Sequence, residues 1–417
     1  PLPCGDCHPY SPHILRRLPF PLPPIRPIIT AMPAAKATCI HERPDWPRFT
    51  RDDARLAPLL ADIRHRQGLL LGRMQTLGFP LRSEASLRTL TANIVKSSAI
   101  EGQLLNPDEV RSSLARRLGL DAAGLPRPGR TVDGLVEMML DATRNADRPL
   151  TPERLFGWHA ALFPTAHSGI ARITVGAWRP PEAGPMQVVS GRIGNERVHF
   201  QAPHADRLQA EMSEFLGWFN ADESVDPVLK AAVAHFWFVT IHPFEDGNGR
   251  IARAIADMAL TRADRTPDRF YSMSAQIEAE RDDYYIHLET AQRGTLDITE
   301  WLAWFLGCLG RAFDRAEATL DGVLRKAELW RRINERPVND RQRLVINRLL
   351  DGFEGFLTTS KYAKLAKCST DTALRDIRDL LARGVLLQNP SRGRSTSYRL
   401  AGAANDDASQ NTTPSAP

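Results

Sequence analysis

The chain has 417 residues, which suggests two or three domains at roughly 150 residues per domain. Hydrophobic residues make up 42% and charged residues 25%, so a wholly disordered or membrane-embedded protein is excluded. The net charge of +5 permits contact with phosphate-rich ligands without requiring it. Five scattered cysteines favour a reducing compartment, and no stretch resembles a signal peptide or a membrane span, so we expect a cytoplasmic protein.

The N-terminal third divides into two parts of different character. Residues 1–40 are rich in proline and lack periodicity, which predicts a disordered leader. Because the first methionine is Met32, residues 1–31 have two interpretations, genuine protein or a translated upstream stretch. Apolar residues recur at helical spacing between 41 and 125, which predicts an N-terminal helical segment with helices at about 52–77, 84–100 and 107–118.

Residues 126–335 are predicted to form a helical core, with one β-hairpin in it. Helical spacing recurs in four segments before the central loop and resumes in a long aromatic-rich run, at about 131–146, 152–163, 205–220, 227–241 and 299–334. Between Met186 and Phe200 apolar residues alternate around Gly191 and Gly194, which is typical of a hairpin.

The last part of the chain has the outline of a winged helix. Three short helices are predicted at about 342–350, 360–367 and 370–383, followed by two short strands, so residues 338–400 form this module. Residues 401–417 are small and polar and are predicted to be a disordered tail. The expected fold class is mainly α, a helical core with a hairpin flanked by an N-terminal helical segment and a C-terminal winged helix.

One loop between two helices carries a dense set of chemical groups. Gly247 and Gly249 allow backbone amides to converge at the start of a helix, where the helix dipole favours phosphate. Arg250 and Arg253 are three residues apart on that helix, so both guanidinium groups can reach the outer phosphate oxygens.

The same loop offers an acid and a base. Asp246 stands just before the glycines, where its carboxylate can hold Mg²⁺ together with substrate phosphates. His242 stands at the loop entrance and belongs to the residue type that accepts a proton near neutral pH. The alternative interpretation is a buried helix–loop–helix corner with a hydrogen-bonded histidine and arginines on the surface. Such a corner would not require this combination of residues, so the pattern favours a nucleotide-binding site with a base beside the phosphates.

Residues 242–253, HPFEDGNGRIAR, resemble the Fic family signature H-x-F-x-D/E-G-N-G-R-x-x-R at every constrained position. The resemblance implies a protein adenylyltransferase that moves AMP from ATP to a Ser, Thr or Tyr hydroxyl of a protein, self-modification included. It also implies that His242 is the general base and that Asp246 carries Mg²⁺. Under the resemblance the phosphates are bound by Gly247, Asn248, Gly249, Arg250 and Arg253.

Two further segments are similar to parts of that family. The hairpin resembles the family flap, whose exposed edge would dock an extended target segment by main-chain pairing, with Val188, Val189 and Ser190 as its candidate residues. A surface ribbon that pairs with nothing is the alternative. The segment with Tyr284, Tyr285 and Gln292 resembles the part that covers the nucleoside, although aromatic residues at helical spacing are more often core.

An upstream segment matches the family's inhibitory pattern S/T-x-x-x-E-G/N at Ser97, Glu101 and Gly102. A helix ending near Glu101 would place a carboxylate against Arg253 and so remove the partner of the γ-phosphate. An ordinary helix end with Gly102 as a left-handed cap would give the same sequence, and both interpretations are compatible.

The predicted winged-helix segment is basic, and the sequence does not decide whether it binds DNA or protein. Between Ser360 and Arg399 there are nine Lys or Arg residues against three Asp, a net charge of +6. A recognition helix from Thr370 and a basic wing at Arg392 and Arg394 would suit duplex DNA, and a protein-docking module is the competing interpretation.

Other functions stay open at this point. The loop recognises phosphates better than bases, so transfer of another nucleotidyl or phosphoryl group, or removal of AMP, is a second candidate. A DNA-binding regulator with a nucleotide-sensing core is a third. A homodimer that buries the apolar face of the N-terminal helix is a further expectation.

Overall fold

The structure is a computed structural model that describes residues 15–17, 39–120, 122, 124–192, 195–221, 225–334, 337–350, 353, 356–390 and 396–401. It contains two compact units, one ending at Leu320 and one beginning at Asp321. The division falls within a long helix. Among the described residues, no helix combines the length and apolar character that crossing a membrane requires.

Helices dominate the first unit, which confirms the mainly α prediction. They are α1 Asp53–Gln75, α2 Phe79–Ile100, α3 Pro107–Arg117, α4 Arg130–Arg144, α5 Pro152–Leu162, α6 Leu208–Asn220, α7 Pro227–Ile241, α8 Asn248–Asp264, α9 Met273–Ala279, α10 Arg281–Arg293 and α11 Thr299–Asn334, which continues into the second unit. Side-chain caps mark several starts, as at Asp52, which accepts a hydrogen bond from the Arg55 amide.

Helices α7 and α8 pack against each other in the core of the first unit. Helix α7 is apolar on nearly all sides, so Val228, Leu229 and every residue from Ala231 to Ile241 are buried. Helix α8 buries most of its length beside it. The six residues between these helices therefore lie in a rigid frame. Helices α4 and α5 pack closely at Gly134, where an added Cβ would overlap the carbonyl oxygen of Ala161.

The hairpin predicted around residues 186–200 is confirmed. Strands β4 Gln187–Arg192 and β5 Asn195–Gln201 are antiparallel, with a register shift between Val188 and Val189. A second, minimal hairpin joins β2 His167–Ser168 to β3 Ala171–Arg172.

One part of the leader differs from the disorder predicted for it. Leu15–Arg17 forms strand β1, which pairs in parallel with Gln187 to Val189 of β4. The physical reason is that the outer edge of β4 presents unpaired amides and carbonyls, and an extended segment can pair with them. The remainder of residues 1–38 lies outside the described residues.

After the end of α11, the described residues of the second unit form three helices and a strand pair in the predicted order. They are α12 Asp340–Leu350, α13 Thr359–Leu365, α14 Thr370–Ala382, β6 Leu386–Gln388 and β7 Tyr398–Leu400. The two strands are antiparallel, and Val345, Ile377 and Leu380 lie in the hydrophobic core. The predicted wing residues Arg392 and Arg394 and the tail from 402 to 417 lie outside the described residues.

Candidate active site

The loop between α7 and α8 begins and ends with left-handed backbone. His242 terminates α7 with φ 52° and ψ 59°, and its amide still donates to the Phe238 carbonyl at 3.0 Å. Gly247 has φ 83° immediately before α8. A left-handed conformation is uncommon for a residue other than glycine, and tightly packed surroundings are what keep it populated. The chain therefore reverses within six residues and aims His242 and the start of α8 at the same space.

The loop is fixed from inside by Phe244 and Asn248. The Asn248 side chain accepts from the Phe244 amide at 2.9 Å and donates to its carbonyl at 2.7 Å. The Phe244 ring is fully buried and stacks on His159 of α5, with ring centroids 4.2 Å apart. Asn248 was predicted to bind phosphate. Its side chain is hydrogen-bonded to the loop backbone instead, so the group that remains for a phosphate is the backbone amide of Asn248.

The tautomer of His242 follows from its neighbour. Nδ1 lies 3.2 Å from the Val239 carbonyl oxygen, which can only accept, so Nδ1 carries the hydrogen. That assignment puts the ring lone pair on Nε2. The imidazole is half-buried, and His242 is one of the residues that line a cavity.

Arg250 and Arg253 are buried cations at the start of α8, with side chains only 7% and 2% exposed. Among the described residues, Nε of Arg250 and Nη1 of Arg253 lack a hydrogen-bond partner. Burial lowers the pKa of Arg250. Burial acts in the same direction at Arg253, but Glu101 and the neighbouring Tyr284 and Tyr285 together outweigh it and raise the Arg253 pKa. Buried donors without acceptors are costly, and an anion at this helix N-terminus would satisfy them.

Asp246 is held in place beside these cations. Its Oδ1 accepts from the Gly247 amide and lies 3.5 Å from Nη2 of Arg250. Its Oδ2 accepts from the Ser168 hydroxyl at the end of β2. Among the described residues there is no cluster of three metal-ligating side chains, so Asp246 is a single carboxylate ligand candidate.

The end of α2 covers the same helix start. Nη2 of Arg253 donates to Oε1 of Glu101 at 2.9 Å and to the carbonyl oxygen of Ser97 at 2.8 Å, and Nε donates to the Ser97 hydroxyl at 2.9 Å. A Cβ on Gly249 would clash with Oε1 of Glu101, so the glycine gives the carboxylate room against α8. The Glu101 carboxylate therefore lies where the sequence places a phosphate.

Gly102 ends α2 in the manner of a Schellman motif. It has φ 77°, its amide donates to the Ala99 carbonyl at 2.9 Å, and the Gln103 amide donates to the Ser98 carbonyl at 3.0 Å. Gln103 also accepts from Nη1 of Arg250 at 3.0 Å. The helix end and its contacts with α8 are therefore one connected structure.

A cavity of about 140 Å³ opens between His242, Glu101 and the hairpin. Its lining contains nine of the predicted site residues, namely Glu101, Val188, His242, Gly247, Asn248, Gly249, Tyr284, Tyr285 and Gln292. Ligand pockets usually measure about 300–1,000 Å³. The cavity is therefore smaller than most ligand pockets, and Glu101 forms part of its wall.

The aromatic segment lies on α10 and is largely engaged in packing. The Tyr284 hydroxyl lies 3.0 Å from Nε2 of His235, and burial raises the Tyr284 pKa to about 12. The Tyr285 hydroxyl approaches the Ile100 carbonyl at 3.5 Å, and Gln292 donates to the Thr240 hydroxyl at 3.2 Å. The structure brings all three to the cavity, although most of each side chain belongs to the core.

The three flap candidates do not share one role. Val188 is half-buried and lines the cavity, whereas Val189 is fully buried and points into the core. Only the backbone of Ser190 is described, in β4. The Val189 side chain therefore contributes to the core, and main-chain pairing of Val188, Val189 and Ser190 with a target stays a prediction.

Several site residues were missed by the sequence reasoning. Nδ1 of His199 on β5 lies 2.6 Å from Oε2 of Glu289 on α10, and both line the cavity together with Arg197. The alternation of a strand puts 197 and 199 on one face, which was the available signal. Nothing in the sequence indicated that Ser168 contacts Asp246.

A larger cavity of about 1040 Å³ lies away from the loop, between α2, α3, α4 and α5. Its arginines face acids, as in Arg154 with Asp141 at 2.6 Å and Arg144 with Asp268 at 3.4 Å. The Asp141 carboxylate is partly buried, and its hydrogen bonds to Arg154, Asn145 and Trp158 keep its pKa low despite that burial. Among the described residues that line this cavity, these arginines and carboxylates are therefore paired with one another.

Comparison with known proteins gives two matched regions. Residues 149–260 match the Fic/DOC family, and residues 39–120 match a domain of unknown function, DUF4172. The first region contains the loop and α7, and the second contains α1, α2 and the Glu101 contact.

Curated relatives match about half of this chain. Protein adenylyltransferase Fic of Culex quinquefasciatus is 28% identical over 226 residues, 53% of this chain and 40% of the relative. Protein adenylyltransferase fic-1 of Caenorhabditis elegans is 29% identical over 202 residues, 48% of this chain and 36% of the relative. A solved Fic family protein from Desulfovibrio desulfuricans G20 is 23% identical with a TM-score of 0.46, covering 83% of this chain and 97% of that one.

The chain spans 40% and 36% of the length of these two curated relatives. Residues 149–260, which match the Fic/DOC family, include the complete sequence pattern from His242 to Arg253. This part of the chain, in which α7, α8 and the loop between them build the site, is therefore similar to that family.

Proposed function

We propose that the protein transfers the AMP part of ATP to a Ser, Thr or Tyr hydroxyl of a protein. The observation that carries the proposal is the arrangement of His242 beside a helix start with two buried arginines that keep unsatisfied donors. The curated names of the matched relatives, protein adenylyltransferases, support the same activity.

His242 acts as the general base in this proposal. Its Nδ1 hydrogen is held by the Val239 carbonyl, so Nε2 takes the proton of the acceptor hydroxyl. The hydroxyl oxygen then bonds to the α-phosphorus, the bond from that phosphorus to the bridging oxygen breaks, and pyrophosphate leaves with the electron pair. A histidine held in one tautomer and one orientation serves this step because no reorganisation precedes proton transfer.

The start of α8 binds the phosphates. The amides that follow Gly247 point along the helix axis, and the positive end of the helix dipole lies there. Arg250 and Arg253 supply the donors that lack partners. The Tyr284, Tyr285 and Gln292 edges that reach the cavity would contact the nucleoside.

The residues present fit Mg²⁺. Magnesium commonly binds through one or two carboxylates plus substrate phosphates, and Asp246 is one carboxylate beside the phosphate position. Bound there, the ion would neutralise charge that develops on the phosphates. Ser168 and the Gly247 amide orient the carboxylate for that task.

A target segment would dock on the hairpin edge. The inner strand β5 contacts α10, where Arg293 donates to the carbonyls of Val198 and His199, so the outer edge of β4 is the side for main-chain pairing. Leu15–Arg17 pairs with that edge in this structure, and a docking segment would displace it.

Glu101 is the brake on this activity. Its carboxylate is bonded to Arg253 and lies against Gly249, so it competes with the γ-phosphate for the same guanidinium. A nucleotide can then bind only with its outer phosphate displaced. Release of Glu101 would both free a donor and enlarge the cavity.

Mass spectrometry tests the proposal. The full chain with Glu101→Gly, incubated with ATP and Mg²⁺, is expected to gain an AMP adduct on itself or on proteins of a cell extract. The same protein with His242→Ala is expected to gain none, and His65→Ala, an exposed histidine on α1, serves as the matched control. Equal labelling of the His242→Ala protein would refute the proposal.

For the second unit we propose a winged helix that contacts duplex DNA. Arg375 and Arg378 on α14 are exposed, whereas Asp376 is buried and bonded to Arg341 at 2.9 Å and Asp379 to Arg383 at 3.0 Å. The exposed face of α14 therefore carries more positive charge than the amino-acid composition of the helix alone suggests. In gel shifts with the full chain, Arg375→Gln with Arg378→Gln should weaken binding and lower the salt slope by about 2. Unchanged binding by the double variant would exclude this face of α14 as the contact, and absence of any shift with the wild-type chain would favour protein docking.

A further inference from the structure

Helix α2 is bonded to α8 at two levels, and only the lower one is part of the inhibitory motif. At the lower level Ser97 and Glu101 contact Arg253. One turn higher, Nδ2 of Asn93 donates to Oδ2 of Asp257 at 2.7 Å. Asn93, Ser97 and Glu101 are spaced by four residues, as are Arg253 and Asp257, so both levels use the same pair of helix faces.

The upper contact involves the buried side-chain amide of Asn93, whose oxygen and nitrogen both have hydrogen-bond partners. Asn93 is 3% exposed, and its Oδ1 accepts from the Ser272 hydroxyl at 2.7 Å and from the Ser274 amide at 3.3 Å. Ser272 is also the N-cap of α9, where it accepts from the Ala275 amide. The Asn93 amide therefore ties three helices at one point.

The partner carboxylate is itself immobile. Oδ1 of Asp257 pairs with Nη2 of Arg269 at 2.9 Å, and both side chains are 2% exposed. Arg269 is held in turn by Asp264 at 2.9 Å and by the Tyr271 hydroxyl at 3.2 Å. Because these side chains are buried and bonded to one another, the cluster is restricted to one arrangement. The Asp257 carboxylate therefore fixes the position of the Asn93 amide that it binds.

We propose that Asn93 is a positioning residue of the brake: its bond to Asp257 sets the axial register of α2 so that Glu101 meets Arg253. The inference rests on the proposed function, because it concerns control of that reaction. A slip of one residue along α2 moves Glu101 by 1.5 Å and turns it by 100°. The contact of Glu101 with Arg253 at 2.9 Å is lost with either displacement.

The experiment compares Asn93→Ala with Glu101→Gly, alone and together, in the full chain. The initial rate of AMP transfer at saturating ATP should rise about tenfold with Asn93→Ala, and by less than about twofold when Glu101 is already glycine. Such non-additivity marks an effect that passes through Glu101. Hydrogen exchange should increase for amides 97–103 in Asn93→Ala.

A matched control separates register from general loosening. Leu87→Ala removes a buried apolar side chain of the same helix, 2% exposed, and should lower stability without raising the rate. If Asn93→Ala does not fold, Ser272→Ala removes the bond that orients the amide, with an expected rise of about threefold.

The outcomes distinguish this inference from the proposed function. If Glu101→Gly activates and neither Asn93→Ala nor Ser272→Ala does, the positioning role is overturned while the brake stands. An equal rise in Leu87→Ala, or a full tenfold rise from Asn93→Ala on top of Glu101→Gly, also overturns it. If no variant, Glu101→Gly included, transfers AMP, the proposed function itself fails.

Discussion

Replacement of Glu101 is the perturbation with the clearest quantitative expectation. The Arg253 side chain is 2% exposed and that of Glu101 is 28% exposed, so their bond at 2.9 Å is partly shielded from water. A hydrogen bond to a charged group is worth about 1.5–3 kcal/mol. If binding of the γ-phosphate must first break it, removing it should raise the rate roughly 10- to 150-fold.

A graded series tests the charge separately from the bond. Glu101→Gln retains an acceptor for Arg253 without the charge, and neutral bonds are worth about 0.5–1.5 kcal/mol. The expected order of rates is therefore wild type, then Glu101→Gln, then Glu101→Gly. Glycine at this position keeps the helix end, since its φ of −86° requires no strain and the Gly102 cap is untouched.

The assay is the initial rate of incorporation of labelled AMP at saturating ATP and Mg²⁺. Glu84→Gln is the matched control, because Glu84 is another α2 carboxylate paired with arginines, Arg88 and Arg111, at 2.7 Å. It should change stability but not rate. Folded Glu101→Gly protein with the wild-type rate, or the same activation by Glu84→Gln, would show that the carboxylate does not compete with phosphate.

Three further predictions address pH, packing and metal. Burial lowers the pKa of His235 to about 3 in the folded chain, whereas the pKa of histidine in an unfolded chain is about 6.5. Below about pH 6.5 the unfolded chain therefore binds a proton that the folded chain does not bind. The free energy of unfolding is thus unaffected by His235 above that pH and falls as the pH decreases toward 3. Between pH 7 and 5 the wild type should lose about 2 kcal/mol more than His235→Gln in urea unfolding, and parallel curves would contradict this. Gly134→Ala should lower the free energy of unfolding by about 3 kcal/mol, because the new methyl group overlaps the Ala161 carbonyl; an unchanged urea midpoint would exclude that close approach. Asp246→Asn should weaken the Mg²⁺-dependent part of ATP binding in calorimetry while ATP binding without Mg²⁺ persists, and equal loss of both would point to a structural role.

The local parts of the site could be predicted because they follow from neighbours in sequence. The loop geometry depends on Gly247 and Gly249 and on the apolar helices at either side, all of which are visible within about 20 residues. Phe244 is an apolar residue in a polar loop, and its ring is buried against His159. The hairpin was marked by its alternation.

Contacts between distant segments could not be predicted in the same way. Asn93 and Asp257 are 164 residues apart, and a single asparagine in a helical pattern gives no sign of its partner. Ser168 reaches Asp246 over 78 residues through a hairpin of two residues per strand, too short for a periodic signal. Helices α9 and α10 were missed because Glu280, which ends one, begins the other without a breaker.

The bond from Arg253 to the Ser97 carbonyl has a thermodynamic consequence. That carbonyl is one of those a helix leaves unsatisfied in its final turn, so the guanidinium completes the end of α2. In the proposed function, a triphosphate that binds the Arg253 guanidinium would remove this support from the helix end. Linkage between two ligands is reciprocal. An effector that binds better when the last turn of α2 is ordered would weaken triphosphate binding by the factor by which the triphosphate weakens binding of the effector. An effector that binds better when this turn is frayed would strengthen triphosphate binding, again by the same factor in both directions.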